Sequence, residues 1–422
     1  MTTGNPVRAT GRMGEQAMDG AAIVEQLMTP AGRADPYPLY RAAQELGPAV
    51  QAGEFLVLVS GYEGVHRTLR APGFGVADPE LSARWDPEYP NHRSKQLISR
   101  SILERNAPDH ARMRSLIASV FTARRVAALE PAVTAAVHRL LEEMAERGAD
   151  GSPVDFMEAF AFRLPVGVIC ELLGVPEQDR YRFRGLTSDL TTVLELIATE
   201  DELDAADEAA DELSGYFADL AARRRAHPED DLVSALVQVA DQDRGRLSGR
   251  ELLANLVLLL IAGFETTTNL LGNGLALLFE HPEALAGVRE GRIRPAGLTD
   301  EVLRYDSPVQ FTSRIALADG LAVGDVPTPY GTAAFLLVAA ANRDPARFPE
   351  PDRFDPTRHD SQPLSFGGGP HYCLGAQLAR LEAAVAFPAL LTRFPALAPA
   401  GDPVRRDRLV LRGYQTLPVA VR

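Results

Sequence analysis

Lysine is almost missing from this chain. Of 43 basic residues, one is lysine (Lys95) and the rest are arginine. Lys95 is followed by Gln96, so no phosphate loop ends in Lys-Ser or Lys-Thr, and a Schiff-base lysine has hardly a candidate. Cysteine is nearly as scarce. Cys170 and Cys373 cannot build a disulfide framework, and two thiols in 422 residues suit a reducing cytoplasm. None of the 8 histidines precedes a glutamate, which removes the His-Glu-x-x-His zinc helix, and no Gly-x-Ser-x-Gly elbow occurs. Positive charge is short as well: 43 basic against 57 acidic residues leaves a net charge of −14. That balance argues against nucleic acid or an anionic membrane as the main partner. The longest apolar run, Leu252 to Phe264, is interrupted by Asn255 and is too short to cross a bilayer. Met1 to Pro30 is mixed and polar with no apolar leader segment, so residues 1–30 are expected to form a flexible N-terminal segment on a cytoplasmic protein.

What is present is mostly helical pattern. Ala107 to Pro282 reads as helix, with apolar spacing in Val126 to Met144 and an Ala-rich, charged stretch from Glu200 to Arg225. Strand-like pieces are few, at Phe55 to Val59 and Gly331 to Ala340, and the Pro-rich Pro345 to Pro363 must be loop. The expected fold class is mainly α with a small β region.

Two places carry chemistry. Ser248-Gly249-Arg250-Glu251 is a capping box that opens an apolar helix running to about Glu280. In its middle stands Ala262-Gly263-Phe264-Glu265-Thr266-Thr267-Thr268, where a glycine and three threonines weaken the helix. Two readings stand: a surface turn with Glu265 in water, or a distorted turn facing a ligand. In the second, Gly263 leaves room while Glu265 and the threonine hydroxyls handle protons. The other place is Phe366-Gly367-Gly368-Gly369-Pro370-His371-Tyr372-Cys373-Leu374-Gly375, a tight glycine loop that turns helical from Leu374. A cysteine at a helix N-terminus is favoured as a thiolate, and so as nucleophile, redox sensor or metal ligand; an inert buried thiol is the plain alternative. Cys170, in an apolar helical setting, reads as core.

Phe366-x-x-Gly369-x-His371-x-Cys373-x-Gly375 resembles the haem-binding signature of the cytochrome P450 family, a highly specific pattern. Other marks follow in the family's order. Ala262-Gly263-x-Glu265-Thr266 resembles the oxygen-activation motif, and Glu301-Val302-Leu303-Arg304 resembles the Glu-x-x-Arg helix. Pro351-Asp352-Arg353-Phe354 resembles the loop whose Arg completes that salt-bridge network. His110 and Arg114 resemble the His-x-x-x-Arg over the haem propionates. The likeness runs from about Asp35 to the C-terminus and is nearest the soluble bacterial class. A Pro-Ala-Gly turn usual in the family is replaced by Val326-Pro327-Thr328-Pro329-Tyr330-Gly331.

The resemblance implies one catalytic domain over residues 31–422, with haem b buried between the long central helix and the cysteine loop. It implies a monooxygenase that inserts one atom of O2 into an apolar small molecule by hydroxylation or epoxidation, as a tailoring step in secondary metabolism. Cys373 would be the iron ligand. His110, Arg114, Arg314, Phe366, Gly367, His371 and Gly375 would bind the cofactor, and Ala262, Gly263, Glu265 and Thr266 would serve catalysis. Electrons would come from NAD(P)H through a ferredoxin and a ferredoxin reductase, docking at Arg112, Arg124, Arg125 or Arg380. The substrate would lie against Phe74 to Arg100, Phe183 to Leu196, Leu258 to Ala262, Val309 to Thr312 and Tyr414 to Leu417. A peroxygenase or non-oxygenating member is the alternative within the family, disfavoured by the Glu265-Thr266 pair. A haem-based sensor or recruiting protein is the alternative outside enzymes.

Overall fold

The computed structural model describes residues 18–77, 81–83, 86, 88–242 and 247–421. Part of the predicted lid between Phe74 and Arg100 therefore lies outside the described residues.

The capping box predicted at Ser248 forms. The Ser248 hydroxyl accepts from the Glu251 N–H, and the Glu251 carboxylate accepts from the Ser248 N–H. From it an unbroken helix of 32 residues, Gly249–Glu280, runs about 48 Å. Its length and composition would suit a membrane span, but its sides from Leu252 to Leu278 are nearly all covered by protein. Helices Arg163–Leu173, Arg180–Leu190, Glu200–Ala226 and Ala376–Arg393 pack round it, and their buried Leu, Phe and Val side chains make one continuous core with it. Packing of this kind is worth roughly 1.5–3 kcal/mol per fully buried large side chain.

The β region is small. One sheet has strands in the order Ala49–Gly53, Leu56–Val59, Ala333–Leu336, Thr312–Ala316 and Phe74–Gly75. The second and third of these are parallel; the other neighbours are antiparallel. Register places Arg314 opposite Ala334, which turns the arginine inward. Beyond Leu336 the predicted strand stops: Val338–Ala341 is a helical turn, fitting its run of alanines. The Pro327 segment forms the second strand of a hairpin, Leu321–Val323 with Val326–Thr328. Near the C-terminus Val404–Arg405 pairs with Tyr414–Thr416, and the segment between them lies along the central helix.

The N-terminal expectation needs correction for residues 18–30. Gly20–Leu27 is a helix, capped by the Asp19 carboxylate, which accepts from the Ala22 N–H. Ile23 and Leu27, four apart on one face, are both buried against the first sheet's neighbourhood. Residues 1–17 lie outside the described set.

Within the helix Ala376–Arg393, Glu382 is buried and its Oε2 has no hydrogen-bond partner. Burial pushes its carboxyl well above the ordinary glutamate range. The unfolded chain ionises this group above about pH 4.5, whereas the folded chain keeps the proton. Folding therefore takes up a proton above that pH, and the group opposes folding more as pH rises. Glu382→Gln should melt higher than the parent at pH 8, with the gap closing towards pH 5. A constant gap across that range would contradict a neutral Glu382.

Candidate active site

The cysteine loop is shaped by two glycines in the left-handed region, Gly367 at φ 68° and Gly369 at φ 63°. A Cβ on Gly369 would sit 2.4 Å from the Leu69 carbonyl oxygen, so glycine is needed there for space as well as conformation. The loop closes with the Cys373 N–H donating to the Phe366 carbonyl at 2.9 Å. The helix itself starts at Ala376, two residues later than the sequence pattern predicts, with Gly375 as its cap. Backbone N–H groups of Gly375 and Ala376 still point at the sulfur and favour its thiolate, as do the Arg114 and Arg380 guanidiniums. Burial, the larger effect, pushes the thiol up. Cys373 is nevertheless exposed, whereas Cys170 is buried in the core with its thiol raised to about 12 by burial.

Beside the sulfur the structure gathers two arginines and two histidines. The His110 and His371 rings lie 4.0 Å apart between centroids, and Arg114 donates to the Tyr372 carbonyl at 2.5 Å. Arg314 is buried, and among the described residues it donates to the carbonyl of Ser313 alone. Burial lowers Arg314 to about 10, and His371 to about 3, in the latter case helped by His110, Arg314 and Arg114. Burial, then Arg114 and Arg314, also lowers His110, whose Nε2 has no partner. No carboxylate pairs with any of these four among the described residues. Buried cations and imidazoles without an anion are costly, so the cluster calls for an anionic ligand.

The predicted Glu301–Arg304 pair is fully buried and bidentate, at 2.7 and 2.8 Å. Its third member is corrected. The Arg353 guanidinium lies on the surface with Glu350, and only its backbone carbonyl accepts from Arg304. Arg358 reaches Glu301 instead, at 3.3 Å. Arg304 also donates to the carbonyls of Asn342 and Pro351. Asn342 carries the network to the cysteine loop, accepting the Leu364 N–H and donating to the Ser365 hydroxyl. Sequence reasoning missed Asn342, Ser365 and Arg358.

On the central helix, Ala262 is exposed and Gly263 and Thr266 half-buried within an otherwise buried segment, so this turn opens on a cleft. The helix does not break; the Thr266 hydroxyl donates to the Ala262 carbonyl at 2.9 Å, four residues back. A Cβ on Gly263 would touch Ile169 at 3.3 Å, so the glycine serves close packing against Arg163–Leu173 on that side. Glu265 is 2% exposed, which excludes the surface-turn reading. Its carboxylate pairs with Arg406, which no motif in the sequence singles out.

The sequence model described as Cytochrome P450 matches residues 50–291 and 298–417. The chain belongs to the cytochrome P450 family. The P450 monooxygenase PikC of Streptomyces venezuelae is 38% identical over 394 residues, 92% of this chain and 91% of that protein. The 6-deoxyerythronolide B hydroxylase of Saccharopolyspora erythraea is 37% identical over 407 residues, 94% and 98% of the two chains. Among solved structures, Mycobacterium smegmatis CYP164A2 superposes with a TM-score of 0.84 at 38% identity, covering 95% of this chain and all of that one. The P450 fold, a haem cofactor and monooxygenase chemistry of the bacterial secondary-metabolism type follow. The residues present fit that cofactor. His110, Arg114, Arg314 and His371, which pair with no carboxylate among the described residues, would hold the two haem carboxylates, and Cys373 would hold the iron.

Three of the four arginines expected to dock a redox partner are ion-paired. Arg112 pairs with Asp109 and Glu251, Arg125 with Asp230, and Arg380 with Asp300 while stacking 4.5 Å from the Phe366 ring. Arg124 is exposed and pairs with no carboxylate among the described residues. At the far end of the site, the Glu195 carboxylate accepts the backbone N–H groups of Leu409, Val410 and Leu411 at 2.8 to 3.0 Å. It fastens the segment after Arg180–Leu190 to the C-terminal strap.

Proposed function

We propose that this P450 hydroxylates a sizeable, largely apolar secondary metabolite of polyketide type. The observation that carries the reading is Cys373 beside two arginines and two imidazoles that have no carboxylate partner among the described residues. In this reading Cys373 holds the iron, while Arg114, Arg314, His110 and His371 bind the propionates. Haem bound through sulfur supplies the oxidising power, because the thiolate favours O–O cleavage. Every other task falls to this chain. Phe366 keeps water from the sulfur, and the loop's N–H groups temper its charge. Leu258, Ala262, Val309 and Tyr414 offer an apolar wall to the substrate. The names of the similar proteins, a 6-deoxyerythronolide B hydroxylase and a bacillaene polyketide synthase P450 among them, support a polyketide substrate, and a neighbouring structure, with tirandamycin C bound, is 34% identical.

Thr266 Oγ1 holds a proton at the cleft and Glu265 resupplies it. Neither touches substrate carbon. Thr266→Ala should cut product formed per NAD(P)H about fivefold or more while changing substrate Kd less than about twofold. Unchanged coupling in that variant would remove the proton role of Thr266. A ferredoxin with its reductase supplies the electrons at the cysteine-loop face, with Arg124, which pairs with no carboxylate among the described residues, as a docking contact, and the enzyme works in the cytoplasm. Polyketide substrates are tested by titrating the purified ferric enzyme for the spin-state shift, then assaying hydroxylated product with NADPH and a surrogate ferredoxin. A response to fatty acids or terpenes with none to polyketide lactones would reject that substrate class.

A further inference from the structure

Buried polar atoms without partners are unevenly placed in this molecule. Of the 14 such side-chain atoms among the described residues, 6 lie along one line: Glu265 Oε2, Asn269 Oδ1 and Nδ2, Asn273 Oδ1, Arg405 Nη1 and Arg406 Nε. Glu265, Asn269 and Asn273 are four apart and share one face of the central helix, each step rising about 6 Å. That face is lined by the strap from Arg405 to Gly413. The Arg406 N–H donates to the Gly413 carbonyl at 3.1 Å, and a Cβ on Gly413 would lie 2.0 Å from Asn269 Oδ1. Asn273 Nδ2 donates to the carbonyls of Asp306 and Arg412, each at 3.1 Å. Asp306 is in turn held by Arg405 and Arg412 at 3.0 Å. The line thus runs from Arg405, whose side chain is 27% exposed, to Glu265, whose side chain is 2% exposed.

An orphaned buried amide costs about 1–3 kcal/mol, and ordered water is the usual remedy where several polar groups converge. Three polar residues in series, on the helix that also carries Thr266, are more than packing requires. We propose that this face holds a file of water running from the Arg405–Asp306 edge past Asn273 and Asn269 to Glu265, and that it supplies the protons for catalysis. A proton enters from bulk solvent at Arg405 and hops along the waters to Glu265 Oε2. The Glu265 oxygen facing Arg406 stays engaged. Glu265 then passes a proton through water to Thr266 Oγ1, so the carboxylate ends as it began. Asn269 and Asn273 are positioning residues: they orient water and never carry the proton.

The proposal rests on the monooxygenase reading above, and its tests separate the two. A crystal structure of the wild-type holoenzyme should show ordered waters within hydrogen-bond distance of Glu265 Oε2, Asn269 and Asn273 Oδ1. A dry, closed face would overturn the proposal whether or not variants fold. Asn269→Leu replaces the amide with an apolar group of similar volume. It should leave the substrate-induced spin shift within about twofold and lower product per NAD(P)H about threefold or more, with a larger solvent isotope effect on turnover. Unchanged coupling and isotope effect in Asn269→Leu, beside uncoupling in Thr266→Ala, would reject the water file and leave the role of Thr266 standing. Unchanged coupling in both would reject the proton role of Thr266 as well.

Discussion

Arg304→Leu should yield almost no folded holoenzyme. Arg304 is 0% exposed, and its guanidinium serves the Glu301 carboxylate and the carbonyls of Asn342, Pro351 and Arg353. Leucine removes the charge and every donor at once. Glu301, equally buried, would keep the Asp355 N–H and Arg358 at 3.3 Å. Breaking a buried pair by deleting one partner typically costs about 3–5 kcal/mol, against a total stability of about 5–15 kcal/mol. The cost falls where it does most harm, since Asn342 links Arg304 to Leu364 and Ser365 at the base of the cysteine loop. Arg353→Leu is the control. Its side chain is 61% exposed and pairs with Glu350 at 3.3 Å, so the change should stay within about 0.5 kcal/mol. Soluble yield and haem content per protein measure both. Parental haem content in Arg304→Leu, or its collapse in Arg353→Leu, would reverse the assignment of the third arginine.

Cys373→Ser should fold, since the residue is exposed and no side-chain hydrogen bond closes the loop; the Cys373 N–H does that. A serine hydroxyl does not ionise near neutrality, so the N–H groups of Gly375 and Ala376 find no anion to stabilise. Monooxygenase turnover should drop by about 10³ or more, because sulfur's push on the O–O bond is gone. The cation cluster is untouched, so the variant should still take up haem, through Arg114, Arg314, His110 and His371. Turnover within tenfold of the parent would show that Cys373 is not the ligand. Loss of all haem uptake would show that the cations hold less of the cofactor than proposed.

Much of this site is legible in the sequence because its parts are local. The cysteine loop carries its glycines, phenylalanine, histidine and sulfur within ten residues, and the capping box and Glu-x-x-Arg pair need only one helical turn. What escaped depends on distant chain segments meeting. Arg406 lies 141 residues from Glu265, and nothing near either predicts the pair. Arg358 displaces Arg353 from Glu301 because an arginine's backbone carbonyl and its guanidinium serve different partners, a distinction sequence spacing does not make. The N-terminal helix had a signal that was weak for its length: an Asp19 cap and two apolar residues four apart, in eight residues that tertiary packing stabilises. Three of the four arginines named as docking candidates carry ion pairs to carboxylates of other elements, which sequence spacing does not predict.

The central claim is a bond between the Cys373 sulfur and haem iron. The reduced, carbon-monoxide-treated absorption spectrum of the purified enzyme tests it directly, since the band position reports whether a thiolate holds the iron. The expected result is a band at about 450 nm in the wild type that is absent from Cys373→Ser at equal haem loading. A folded wild-type enzyme with full haem and a band at about 420 nm, the same in both proteins, would contradict the account.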